Sequence, residues 1–75
     1  MGLDDMLPLE REVLIVIGSL VEQQGREVRT EEIMGHPLMR GVARSSLHRA
    51  LRRLLAAGHI AHPVGAKAGR FVLKR

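Results

Sequence analysis

Apolar residues recur through the first third of the chain with the period of a helix. At about 100° per residue, Leu9, Val13, Val16, Ile17 and Leu20 fall on one stripe, with Leu14 and Val21 beside it and Ile15 nearly opposite. Pro8 suits a first helical position and Gly25 a left-handed stop, so the pattern predicts a helix over 8–24, preceded by an arm over 1–7. Val28 marks a short strand. Thr30, Glu32 and Ile33 then open a second helix over 30–35, with the Thr30 hydroxyl expected as its cap. Gly35, the His36-Pro37 step and Gly41 stop it from running on, and 36–41 reads as a loop or distorted turn.

The pattern is clearest over 44–57, where nearly every residue favours a helix and Gly58 supplies the stop. Leu47, Ala50, Leu51, Leu54 and Leu55 form its apolar stripe. The opposite face collects Ser45, Arg49, Arg52 and Ala56, flanked by His48 on one side and by Ser46 and Arg53 on the other. Beyond Gly58 the period changes. Two β-like runs, 60–62 and 70–74, are separated by a Pro- and Gly-containing stretch, which predicts a hairpin over 59–74. In its second strand Phe71 and Leu73 share one side, and Arg70, Val72 and Lys74 the other.

Seventy-five residues with 45% apolar side chains make one domain. A chain this short buries only roughly 60% of its unfolded surface, and without cysteine no disulfide compensates. The longest apolar run, 13–17, is too short to cross a bilayer. Asp4 and Asp5 stand where an export signal needs positive charge, so a soluble, cytoplasmic protein is expected. Charge changes the picture most. All eight acids lie at or before Glu32, alongside three arginines, whereas residues 33–75 carry nine Lys and Arg and no acid. A half so biased attracts polyanions. With Phe71 the only aromatic residue, stacking platforms for single strands or RNA are nearly absent, and duplex DNA is the favoured partner.

The stretch Val42-Ala43-Arg44-Ser45-Ser46-Leu47-His48-Arg49-Ala50-Leu51-Arg52-Arg53-Leu54, continuing to Gly58-His59-Ile60, resembles the recognition helix and wing entry of bacterial winged helix-turn-helix regulators. Thr30-Glu31-Glu32-Ile33 is similar to that family's second helix, and the likeness spans about 8 to 74. Ala43 departs from it, standing where such domains usually place a serine or threonine cap. The resemblance implies an α+β winged helix-turn-helix domain of three helices and a C-terminal hairpin wing. It also implies sequence-specific binding of double-stranded DNA by a small transcriptional regulator or a replication or partition factor.

Groove binding requires donors that meet base edges and cations that reach phosphates. Ser45, His48, Arg49 and Arg52 are expected to face the major groove with Ser46 beside them, and Arg49 is suited to a forked contact with guanine. Arg44 and Arg53 are assigned to phosphates, and Lys67 near the wing tip with Arg70 beside it to a phosphate or the minor groove. Leu14, Ile15 and Val21 are the residues available for a homodimer that would read two half-sites.

Competing readings are weaker. An arginine-rich face is often only solvated surface, yet such faces usually mix signs. His59 and His62 form H-x-x-H at a strand entrance, where the rings point apart and no cysteine or carboxylate completes a metal set. Residues 65–69 lack the spacing of a phosphate-binding P-loop. Serine at a helix start is more often a cap or a DNA contact than a nucleophile. No enzyme, cofactor, metal or small-molecule ligand is expected. The remaining alternative is a winged-helix interaction module docking an acidic partner in a larger complex.

Overall fold

Two residues with fixed backbone preferences delimit the first helix. Pro8 opens α1 (Pro8–Gln24), and Gly25 ends it at φ 67°, donating its N–H to the Val21 carbonyl at 2.7 Å. Between them Val13, Val16 and Ile17 are fully buried, and Leu9, Leu14, Leu20 and Val21 pack partly against the same core. The computed structural model describes residues 6–65 and 69–74.

Past Gly25 the chain forms a two-residue strand, β1 (Val28–Arg29), and turns at once into α2 (Thr30–Met34). The cap of α2 is not the one expected. Arg29 is the N-cap, and its N–H donates to the Glu32 carboxylate at 2.8 Å. Thr30 is already helical, and its hydroxyl donates instead to the Gly69 carbonyl at 3.3 Å. The Thr30 N–H reaches the same carbonyl at 2.9 Å. This residue therefore ties α2 to the far end of the chain.

The stretch 36–41 is ordered by a 3-10 turn (Pro37–Met39), in which the His36 Nδ1 accepts the Leu38 N–H at 3.1 Å. The turn carries Met39 into the core, where it is 1% exposed. Helix α3 (Arg44–Ala57) follows, buries Leu47, Ala50, Leu51 and Leu54, and stops at Gly58 with φ 84°. Its packing on α1 is the largest contact between elements of the fold. Each fully buried leucine or isoleucine contributes about 1.5–3 kcal/mol to the folded state, so the interior face of α3 is strongly fixed.

Strands β2 (Ile60–Ala61) and β3 (Arg70–Leu73) form the expected hairpin, with Ile60 opposite Leu73 and Ala61 opposite Val72. The hairpin is not alone. Strand β1 adds to its other edge, giving the antiparallel order β1-β3-β2 with Val28 opposite Phe71 and Arg29 opposite Arg70. Val28, Ile60 and Phe71 turn inward and close the core beneath the helices. The described residues thus form an α+β domain of three α-helices and a three-stranded antiparallel sheet. No helix among them is long and apolar enough to cross a membrane.

Candidate nucleic-acid interface

The outward face of α3 follows from its inward one. Because Leu47, Ala50, Leu51 and Leu54 are held in the core, the positions about half a turn away must point to solvent. Arg44, Ser45, His48, Arg49 and Arg52 are all exposed, and Ser46 is half-buried. From Ser45 to Arg52 the face extends about 10 Å along the axis at 1.5 Å per residue. A major groove about 12 Å wide accepts a helix presenting donors in that way. Among the described residues no carboxylate lies within ion-pair distance of Arg44, Arg49 or Arg52.

Two of the arginines assigned to phosphates are engaged within the chain. Arg53 donates through Nε to Glu10 Oε2, and Glu10, only 5% exposed, also accepts the Leu7 N–H through its other oxygen at 3.3 Å. Arg53 therefore neutralises a carboxylate at the start of α1, which makes it part of the α1–α3 contact. Arg70 donates to Glu27 at 3.0 Å, with both side chains partly exposed. A pair of that kind is worth about 0–1 kcal/mol and is screened by salt, so Arg70 stays exchangeable.

The register of β1 on β3 adds a cation that the sequence pattern grouped with the acidic half. Arg29 lies directly across from Arg70, and directly opposed residues project from the same face of a sheet. Like charges in that position cost roughly 0.2–1 kcal/mol. Glu27 offsets part of this through Arg70. Arg29 is exposed, and no ion pair engages it among the described residues. The signal that finds it is the strand pairing, which no local pattern contains.

The family models, curated proteins and solved structures contain no match to this chain.

The remaining residues singled out in the sequence fall into three groups. Lys67 lies outside the described residues. His62 stacks on Phe71 with ring centroids 5.2 Å apart, and its Nδ1 lies 3.0 Å from the Arg70 carbonyl. Of the three α1 residues named for a homodimer, Leu14 and Val21 pack against the chain's own core and Ile15 is exposed.

Proposed function

We propose that this chain is a sequence-specific double-stranded DNA-binding domain of the winged helix-turn-helix kind, with α3 as the recognition helix and the β2–β3 hairpin as the wing. One observation carries the reading: α3 turns Ser45, His48, Arg49 and Arg52 outward along one narrow face, and no acid among the described residues pairs with Arg49 or Arg52. A helix face kept cationic in this way costs self-repulsion unless an external anion meets it. The arrangement supports base contacts from Arg49 and Arg52 and backbone contacts from Arg44.

Electrophoretic mobility shift of a mixed-sequence duplex across a salt series tests the reading. Duplex binding predicts a linear fall of log K with log salt, at about −0.9 per phosphate contacted. No shift at low salt rejects it. Selection from a random duplex pool then defines the bound sequence, and Arg49→Ala is expected to relax that preference.

A further inference from the structure

An open groove of about 580 Å³ runs between the first turn of α3, the β1–α2 junction and the start of β3. Three guanidinium-bearing residues line it, each from a different element: Arg29 from β1, Arg44 from α3 and Arg70 from β3. His48 borders it one helical turn beyond Arg44. Among the described residues that line it Glu31 is the only carboxylate, so this lining carries a net positive charge even with His48 neutral. The groove is held in shape by the Thr30 N–H and hydroxyl, both bonded to the Gly69 carbonyl on its floor. Gly69 has φ 99°, a conformation that side chains rarely adopt, and this lets β3 begin against Thr30.

Among the described residues neither Arg29 nor Arg44 has an ion pair, and Arg70 has only the partly exposed Glu27. Arginines lining one groove suit the planar, forked recognition of phosphate oxygens. An open trough also suits a chain of phosphates passing through it better than an enclosed small molecule.

We infer that this groove seats a phosphate of the duplex backbone, with Arg29 as a phosphate-binding residue alongside Arg44 and Arg70. The inference rests on the duplex-binding reading but adds to it a residue from the acidic half of the chain. It also adds a carboxylate, Glu31, that opposes the bound anion.

Salt-dependent binding of Arg29→Gln, Arg29→Lys and Glu31→Gln tests it, with thermal unfolding to show that each variant is folded. Arg29→Gln is expected to weaken duplex binding about tenfold on specific and random sequence alike and to make the salt slope shallower by about 0.9. Arg29→Lys should restore the slope, and Glu31→Gln should tighten binding. An unchanged slope in Arg29→Gln, with wild type binding normally, overturns the inference and leaves the duplex reading standing. If wild type binds no duplex at low salt, that reading fails, and titration with inorganic pyrophosphate decides the groove. Saturable shifts of the Thr30 and Gly69 amides, lost in Arg29→Gln, assign it to a free phosphorylated molecule; absence of shifts overturns the inference as well.

Discussion

Arg53, on the α3 helix, neutralises the buried carboxylate of Glu10 on α1, 43 residues earlier. This pair couples the two largest helices where their polar edges meet. Arg53 itself remains more than half exposed, so the cost of breaking the pair falls mainly on the acid left behind. Arg53→Ala should lower stability by about 1–2 kcal/mol, less than a fully buried pair would lose. For a domain of this size each kcal/mol moves Tm by roughly 4–8 °C. A double-mutant cycle with Glu10→Gln isolates the coupling, and a coupling energy near zero would show that the pair is incidental.

Arg49→Ala and Arg52→Ala should behave in the opposite way. Both side chains are exposed, with no ion pair among the described residues, so stability should stay within about 0.5 kcal/mol of wild type. Duplex affinity should drop by about 1–3 kcal/mol for Arg49→Ala, with loss of discrimination at one base position. Chemical denaturation together with binding to selected and scrambled duplexes separates the two effects.

Thr30→Val keeps the shape and removes the hydroxyl that donates to the Gly69 carbonyl. The backbone bond from Thr30 to the same carbonyl survives, so the loss should be modest, about 0.5–1.5 kcal/mol. Hydrogen exchange provides the local readout. The Thr30 amide should be protected in wild type and exchange faster in the variant, whereas equal rates would mean that the hydroxyl does not help to hold the wing root.

Met39→Ala tests the 3-10 turn. This side chain is 1% exposed although it lies in a segment that reads as loop, and its truncation should cost about 2–5 kcal/mol. That is a large part of what so small a domain possesses. A midpoint within a degree or two of wild type would show that the turn is dispensable.

Helices α1 and α3 were legible in the sequence because each repeats an apolar stripe several times before a Gly exit, and α1 also has a Pro entry. The exposed face of α3 came with them, as the complement of Leu47, Ala50, Leu51 and Leu54. What escaped depends on residues far apart. Glu10 finds Arg53, Glu27 finds Arg70 and Arg29 faces Arg70 only once the core has brought the two halves together. Thr30 looked like a cap because it stands before an acidic, apolar run, but the competing Gly69 carbonyl lies 39 residues ahead. Met39 was hidden for another reason: a single apolar residue between Pro37 and Gly41 shows no period.

The pairing of β1 with β3 also constrains the order in which the molecule can assemble. Val28 waits for Phe71, and the intervening chain must be synthesised before that edge of the sheet can close. Contacts so distant along the chain make closure slow relative to helix formation. Each long helix can form locally beforehand, while the strand ahead of α2 stays unpaired until β3 reaches it.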